Sequence, residues 1–277
     1  MDYKIIVDSC CDITPEVAEQ LQVQLVPLTL QLGEKEFKDD YELDLPDFMA
    51  QMKACTEKAG SAAPSPQAYM DAIIKAGRAF VVTASSKISG SYSSAKLGEE
   101  YAIEKGTTDV HVFDSKTASA GEMLIVMKLR ELIAKGLPKD QIVNTITSFI
   151  DGMKTYFVLE CYDNLIKSGR LNKITEKIIS MLNIRLIMGS DGDGSIALHG
   201  KPRGSKQMLD KLISFVGKSE RPTEGENMVI SHCNNLSLAE QIAGIVREKF
   251  NFKEILIMPT RGISSLYADE KGIIIAF

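Results

Sequence analysis

The sequence predicts an α/β protein with two domains, and two observations carry that prediction. Over the first half of the chain, short apolar strands alternate with helices, which is typical of a mostly parallel sheet with flanking helices. After residue 153, adjacent strands and segregated helices are typical of an α+β domain with a mixed or antiparallel sheet. We therefore place one domain over residues 1–152 and a second over residues 153–277.

The elements of the first domain are delimited by apolar runs, caps and helix breakers. Thr14 can cap a helix that begins at Pro15, because proline suits the first helical position. Pro27 predicts that its strand lies at a sheet edge or contains a bulge. The prolines at 64 and 66 predict a loop of small residues over 60–66. The predicted strands cover residues 4–7, 23–30, 79–83 and 110–113, and the predicted helices begin near residues 15, 45, 67, 92, 119 and 139.

The second domain contains a hairpin signal. Asp191-Gly192-Asp193-Gly194 lies between two short apolar runs and predicts a turn that joins two antiparallel strands. The predicted strands cover residues 155–160, 184–188, 196–199, 228–231, 254–258 and 273–277, and the predicted helices cover 164–168, 174–182, 206–216 and 238–250.

Composition excludes several classes of protein. The 277 residues carry a formal net charge of -5, and only 6% of them are aromatic. Such a chain is not typical of proteins that bind nucleic acids or anionic membranes. Its five cysteines lack the spacing of a disulfide framework, which favours a reducing compartment. Because no apolar run could span a bilayer and no signal peptide is evident, we expect a cytoplasmic protein without a transmembrane segment.

The most distinctive stretch runs from Ser85 to Ala95. It follows the strand predicted at 79–83 and leads into the helix predicted from residue 92. Such a turn places hydroxyls and free backbone N–H groups at a helix N-terminus, where an anion is favoured. Taken alone, the same residues also fit a Ser/Gly loop that caps the helix and binds nothing, and that is the simpler interpretation.

The sequence contains no familiar catalytic or metal-binding motif. Gly217-Lys218-Ser219 lacks the earlier glycine of a phosphate-binding P-loop. The turn at 191–194 resembles the start of a calcium loop, but Pro202 stands where such a loop has glutamate. The three histidines are scattered, and none has a second ligand at metal-binding spacing. We therefore assign no catalytic residues and no metal site.

Two basic stretches stand out in this acidic chain, over residues 167–173 and 199–206. Flexible glycines beside fixed cations suit a phosphate group or an acidic partner surface. The alternative is that both stretches are solvated helix ends, since cations are favoured near a helix C-terminus.

Taken together, these stretches resemble the DegV family of bacterial fatty-acid-binding proteins, and the similarity covers essentially the whole chain. The most specific match is Ser85-Ser86-Lys87-Ile88-Ser89-Gly90-Ser91-Tyr92. The other matches, in order, are Ile6-Val7-Asp8-Ser9 with Asp12, Val26-Pro27-Leu28, the loop from Ser61 to Pro66, Phe113-Asp114-Ser115-Lys116, Ile166-Lys167-Ser168-Gly169-Arg170, and His199-Gly200-Lys201-Pro202-Arg203-Gly204.

The resemblance implies a DegV-like fold with a buried long-chain fatty acid, and it assigns roles to particular residues. Ser89 and Gly90 match the Ser-Gly that contacts the carboxylate in the family. Ser61 lies where the family commonly has a threonine that also touches the carboxylate. Arg170 and Arg203 match family arginines and are predicted to neutralise a phosphate or to dock a kinase.

In such systems a separate ATP-dependent kinase phosphorylates the bound carboxylate to an acyl-phosphate. The resemblance therefore implies that this chain is a lipid-binding carrier rather than an enzyme, with a fatty acid as its ligand and no cofactor. A fatty acid kinase subunit would be its protein partner.

The chain departs from the family pattern in two places. Ala62 and Ala63 replace polar residues of the family in the middle of the loop from Ser61 to Pro66. The usual C-terminal His-Thr-Gly-Pro-Gly of the family is missing. Tyr267 lies near the position of that histidine. A tyrosine hydroxyl can donate a hydrogen bond to a carboxylate, but it cannot carry a positive charge as histidine can. Fatty-acid binding tolerates this change more readily than a kinase-coupled role does.

Two other functions are kept as alternatives. An acyl or phosphoryl transferase could use Ser89 as a nucleophile with a histidine as base, and it would turn over ATP and fatty acid without a second protein. A pure interaction protein would instead have an unfilled or collapsed cavity.

Overall fold

The computed structural model describes residues 3–171 and 183–277. Within those ranges the strands are β1 (Lys4–Asp8), β2 (Val23–Val26), β3 (Thr29–Leu32), β4 (Lys35–Lys38), β5 (Ala59–Ala62), β6 (Arg78–Thr83), β7 (Asp109–Asp114), β8 (Thr155–Val158), β9 (Ile187–Ser190), β10 (Ile196–Gly200), β11 (Asn227–His232), β12 (Glu254–Pro259) and β13 (Ile273–Ala276). The helices are α1 (Pro15–Leu21), α2 (Leu45–Ala54), α3 (Pro66–Ala76), α4 (Ser91–Glu104), α5 (Ala120–Ala134), α6 (Lys139–Gly152), α7 (Asp163–Lys167), α8 (Gly204–Lys218), α9 (Leu236–Lys249) and α10 (Gly262–Ala268). The helix predicted over 174–182 lies outside the described residues. No described helix is both long and apolar enough to cross a bilayer.

Four strands of the first half form the predicted parallel sheet, in the order β2-β1-β6-β7. Alternate side chains of these strands point to opposite faces, so Ile6 and Val81 pack towards α3 and α4, whereas Ile5 and Val82 pack towards α5. Both faces are therefore covered by helices, which explains why β1 and β6 are nearly continuous apolar runs.

Pro27 divides the strand predicted over 23–30. β2 ends at Val26 and lies at an edge of the parallel sheet, whereas β3 begins at Thr29 and joins a separate antiparallel sheet in the order β4-β3-β5. The prediction of one continuous strand was wrong, because proline has no N–H to continue the ladder. The edge position of β2 agrees with the proline beside it.

Part of the loop predicted over 60–66 is also a strand. β5 pairs with β3 in antiparallel register, and Ser61 lies opposite Leu30. The hydrogen bonds between β3 and β5 join backbone groups, so residues with small side chains can form this strand. Their sequence lacks the apolar run by which a strand is predicted. As a result, Ser61 is held on a sheet rather than in a free loop.

The second half forms a six-stranded mixed sheet, in the order β10-β9-β8-β13-β11-β12. Its neighbouring strands are antiparallel, except that β11 and β12 are parallel. The predicted hairpin joins β9 and β10, and the Asp191 N–H donates to the Ser195 carbonyl at 3.0 Å. Gly192 and Gly194 in its turn have φ of 99° and 96°, a conformation that glycine adopts without strain.

Helix α5 lies between the parallel sheet and the mixed sheet. Ten of its residues are buried, on every side of the helix, as expected for a helix enclosed by protein. It contacts β1 and β6 of the parallel sheet and β11 and β13 of the mixed sheet, so both sheets share one apolar core. The domain boundary between residues 152 and 153 stays a prediction; it falls between α6 and β8.

The close contact of α3 with α4 depends on Gly98. A Cβ atom at this position would lie 2.7 Å from the Pro66 carbonyl oxygen and 2.7 Å from Tyr69 Cβ. Neither atom can turn aside, because one is backbone and the other is the first atom of its side chain. We expect Gly98→Ala to lower the free energy of unfolding by about 1–3 kcal/mol, the usual cost of overpacking, as measured by urea denaturation.

Gly244→Ala in α9 is the matched control. A Cβ atom there meets nothing within 4 Å, and alanine is preferred over glycine inside a helix by about 0.5–1 kcal/mol. The two variants should therefore change stability in opposite directions. Equal stability of Gly98→Ala and the unmodified chain would contradict the proposed tight contact.

Candidate functional site

A cavity opens where the strands of the parallel sheet end. Its wall includes Cys10, Ala84 and Thr117, which follow β1, β6 and β7. The carboxyl ends of parallel strands are the usual ligand position in open α/β sheets. The free space inside the cavity and at its open mouth amounts to about 900 Å³.

The opposite wall of the cavity comes from the mixed sheet. Phe157 of β8, Gly189 of β9 and Ile274 of β13 line it, so the cavity lies between the two sheets. Its lining is mainly apolar and includes Leu28, Phe157, Leu159, Leu165, Ile196 and Ile274. An elongated apolar group would therefore be shielded from water here.

Three predicted site residues meet on the cavity wall as the Ser61–Arg170–Tyr267 cluster. The hydroxyl oxygens of Ser61 and Tyr267 are 3.0 Å apart, and Arg170 donates from Nη1 to the Tyr267 hydroxyl at 2.8 Å. The guanidinium carbon of Arg170 also lies 4.7 Å from the centre of the Tyr267 ring. Hydroxyl donors beside a fixed positive charge suit an anionic acceptor such as a carboxylate.

Each member of this cluster is placed by a different element. Ser61 is held by β5, Tyr267 by α10, and Arg170 by the turn after α7. Asn164 Nδ2 donates to the Leu266 carbonyl at 2.8 Å and so ties α7 to α10. Arg170 Nε donates to the Ile88 carbonyl at 2.8 Å, which fixes the guanidinium against the segment that contains Ser89.

Ser89 also lines the cavity, just before α4 begins. Its oxygen accepts a hydrogen bond from the Ser91 N–H at 3.2 Å, and its hydroxyl donates to the Ser91 hydroxyl at 3.0 Å. Ser89 therefore binds the first N–H group of α4 and still faces the cavity. Gly90 is exposed and is not among the residues that line the cavity. It lies beside the segment from Ser61 to Pro66, since a Cβ atom at Gly90 would be 3.5 Å from Ala63 Cβ.

Arg203 lies apart from the cavity. It is exposed at the start of α8, and its N–H donates to Gln207 Oε1 at 3.0 Å. The resemblance gave Arg170 and Arg203 the same predicted role, but the structure places only Arg170 on the cavity wall. The sequence alone contained no signal that separates these two positions.

Buried carboxyl groups behind the cavity were not indicated by the sequence as site features. Asp12 accepts hydrogen bonds from the Arg261 N–H at 2.7 Å and from the hydroxyl of Ser119, a cavity-lining residue. Burial nevertheless raises the pKa of Asp12 to about 7. Asp39 accepts from the Ile263 N–H at 2.9 Å, and burial raises its pKa to about 6. These two carboxyl groups anchor the start of α10, the helix that carries Tyr267.

A second buried group consists of Asp8, Cys10 and Glu122, whose ligand atoms all lie within 4.8 Å of one another. Burial raises the pKa of Cys10 and of Glu122 well above their ordinary values. Metal ligands of these types must lose their protons, so the environment favours protonated groups over a bound cation. This spacing across β1 and α5 could not be read from the sequence.

Comparison with known proteins finds relatives over the whole length of the chain. A family model described as "Uncharacterised protein, DegV family" matches residues 2–277. A DegV domain-containing protein of Streptococcus gordonii is 36% identical over 280 residues, which cover 100% of this chain and 99% of the relative.

Similar solved structures contain fatty acids. A DegV family protein from Ruminococcus gnavus, refined with vaccenic acid, has a TM-score of 0.94 and 36% identity, with 99% of each chain covered. The fatty acid kinase B3 protein of Streptococcus pneumoniae, loaded with linoleic acid, has a TM-score of 0.91 and 35% identity, covering 100% of this chain and 99% of that one. These matches confirm the predicted fold class.

Proposed function

The chain belongs to the DegV family, as its resemblance predicted, and on that premise we propose that it binds a long-chain fatty acid in the cavity between its parallel and mixed sheets. The ligand carboxylate would contact the hydroxyls of Ser61, Ser89 and Tyr267, with the Gly90 N–H as a further donor. The acyl chain would occupy the apolar part of the cavity. Fatty acids in two relatives at 35–36% identity support this choice of ligand.

The observation that carries the proposal is the meeting of three hydroxyls and one guanidinium on the wall of a mainly apolar cavity. Hydrogen bonds to a charged group are each worth roughly 1.5–3 kcal/mol. Burial of the chain contributes about 0.8 kcal/mol per methylene, so a long chain supplies the larger share of the affinity. A cavity of this kind therefore selects ligands with an acidic head and a long apolar tail.

Arg170 supplies the positive charge that Tyr267 lacks. Because Arg170 Nη1 donates to the Tyr267 oxygen, the phenolic proton of Tyr267 stays available for Ser61 or for a ligand carboxylate. The arginine thus both orients the tyrosine and compensates the ligand's charge. In this proposal the Arg170 guanidinium first interacts with the ligand carboxylate. A phosphate group added to that carboxylate would interact with the same positive charge.

The chain acts, in this proposal, as a carrier that presents the fatty acid to a separate ATP-dependent kinase. The B3 protein of a fatty acid kinase among the similar structures supports this role. Arg203 is exposed and lies outside the cavity, which supports a contact with a protein partner rather than with the ligand. Arg203→Gln would then reduce phosphorylation by a kinase subunit and leave fatty-acid affinity unchanged.

Lipid extraction from the purified protein tests the proposed ligand. Solvent extraction followed by mass spectrometry should recover a long-chain fatty acid at about one molecule per chain. Delipidated protein should take up added oleate or palmitate to the same extent. Absence of extracted fatty acid together with no uptake of either added acid would refute the proposal.

One further assay distinguishes the proposed carrier from the transferase alternative. The isolated chain, incubated with ATP and fatty acid, should produce no acyl-phosphate unless a kinase subunit is added. None of the three histidines lies on the cavity wall, so the described residues supply no histidine base for Ser89. Turnover by the isolated chain would favour the transferase instead.

A further inference from the structure

The contact between Arg170 and Tyr267 joins two elements that are distant in sequence. Arg170 follows α7, Tyr267 lies in α10, and the hydrogen bond between their side chains is 2.8 Å long. Hydrogen bonds weaken steeply as their geometry departs from the ideal, so this contact depends on how α7 lies against α10. A side chain that fixes the two helices relative to each other would therefore act on the site.

The last turn of α10 leaves a backbone carbonyl for a donor from another element. Asp269 follows the helix with φ of 54°, outside the helical region. The Glu270 N–H would reach the Leu266 carbonyl if the helix continued, but it donates instead to Asp269 Oδ1 at 2.8 Å. Asn164 Nδ2 of α7 donates to the Leu266 carbonyl at 2.8 Å and so takes the place of the helical donor.

The end of α7 fixes the backbone of Arg170 to its own helix. The Arg170 N–H donates to the Leu165 carbonyl at 3.0 Å. The Gly169 N–H donates to the Ile166 carbonyl at 2.9 Å, and Gly169 has φ of 77°. This pair of bonds is the Schellman motif, in which a glycine with positive φ turns the chain after a helix. The backbone of Arg170 therefore follows any movement of α7.

The opposite end of α10 is held independently of α7. Asp39 accepts from the Ile263 N–H at 2.9 Å, and a Cβ atom at Gly262 would lie only 2.3 Å from Asp39 Oδ1. The start of α10 thus lies directly against Asp39. Since α10 is anchored there, loss of the Asn164 bond should displace α7 rather than Tyr267.

We propose that Asn164 is a positioning residue, which holds Arg170 at the Tyr267 hydroxyl by fastening α7 to the end of α10. This inference rests on the proposed fatty-acid binding and deepens it. Asn164 is not among the residues that line the cavity, so it acts on the ligand through Arg170. Its amide nitrogen is the group required, because a backbone carbonyl can only accept.

Asn164→Ala tests this role through the affinity for oleate. Without the amide donor, α7 is no longer fastened to α10, and the Arg170 guanidinium loses its fixed position. The affinity of the delipidated variant for oleate should fall by roughly three- to tenfold, the effect of one net hydrogen bond. Displacement of a fluorescent fatty acid measures the affinity, and thermal denaturation shows that the variant is folded at the temperature of the assay.

A double-mutant cycle with Arg170→Gln separates positioning from a general loss of structure. If Asn164 acts through the guanidinium, adding Asn164→Ala to Arg170→Gln should cause no further loss of oleate affinity. Asn235→Ala is the matched control, since Asn235 Nδ2 donates to the Lys271 carbonyl at 2.8 Å and Asn235 does not line the cavity. That variant loses the same kind of bond and should keep its oleate affinity.

The possible outcomes separate the two proposals. A loss of affinity confined to the protein with Arg170 supports the inference. Unchanged oleate affinity in Asn164→Ala, or an equal loss with and without Arg170, would overturn the role of Asn164 and leave fatty-acid binding standing. An unmodified protein that takes up no oleate would overturn the proposed function itself.

Discussion

Replacement of Arg170 by glutamine is expected to weaken fatty-acid binding by about 10- to 100-fold. The guanidinium supplies the positive charge of the Ser61–Arg170–Tyr267 cluster and donates to the Tyr267 hydroxyl at 2.8 Å. Loss of a charge-assisted interaction costs roughly 1.5–3 kcal/mol, which corresponds to that range of affinity. Displacement of a fluorescent fatty acid from delipidated protein measures the change.

Two further variants make the Arg170 experiment specific. Arg247→Gln removes the same charge from an exposed position in α9 and should leave affinity unchanged. Arg170→Lys keeps the charge but loses the planar contact with the tyrosine ring and one of the two fixed hydrogen bonds, so its affinity should be intermediate. If Arg170→Gln bound oleate as tightly as Arg247→Gln, the carboxylate would not lie at this cluster.

The second large effect concerns stability and pH. Burial raises the pKa of Asp12 from 3.8 to about 7, so the folded state holds a proton that the unfolded state releases above about pH 4. This group therefore stabilises the fold fully below the unfolded pKa, and its contribution is lost as the pH rises through about 7. Between pH 5 and pH 8 we expect the loss to be about 2–3 kcal/mol.

Asp12→Asn isolates this contribution from other titrating groups. Its amide oxygen can accept from the Arg261 N–H and its amide nitrogen can donate to the Ser119 hydroxyl, so both partners of Asp12 are kept. The φ of 58° at this position suits asparagine as well as aspartate. Urea denaturation at several pH values should show the unmodified protein losing stability relative to the variant as pH rises. Parallel pH profiles would show that Asp12 titrates normally.

The parts of the fold that sequence could predict are those with strong local patterns. The parallel sheet follows from continuous apolar runs such as that of β6, and the hairpin between β9 and β10 follows from its Gly-rich turn. β5 could not be predicted, because Ala59–Ala62 is a strand only through its pairing with β3. α10 could not be predicted either, because it is short and its start is anchored by the distant Asp39.

The candidate site could be predicted from the family resemblance, but not from local sequence patterns. From its residues alone, the segment that contains Ser89 fitted a helix cap as well as a binding loop, and only the family resemblance connected it with Ser61 and Tyr267. The structure brings these three residues to one cavity wall. The buried carboxyl groups behind them, Asp12 and Asp39, lack a local signal, since their burial depends on elements distant in sequence.

The position of α5 between the two sheets has a consequence for cooperativity. One face of this helix is covered by β1 and β6, and the other by β11 and β13, which lie in the second half of the chain. A fragment that stops at residue 152 would leave the second face of α5 in water, and a fragment that starts at 153 would lack the helix that covers its sheet. The two halves should therefore melt in a single transition and depend on each other during biosynthesis, although each has a sheet of its own.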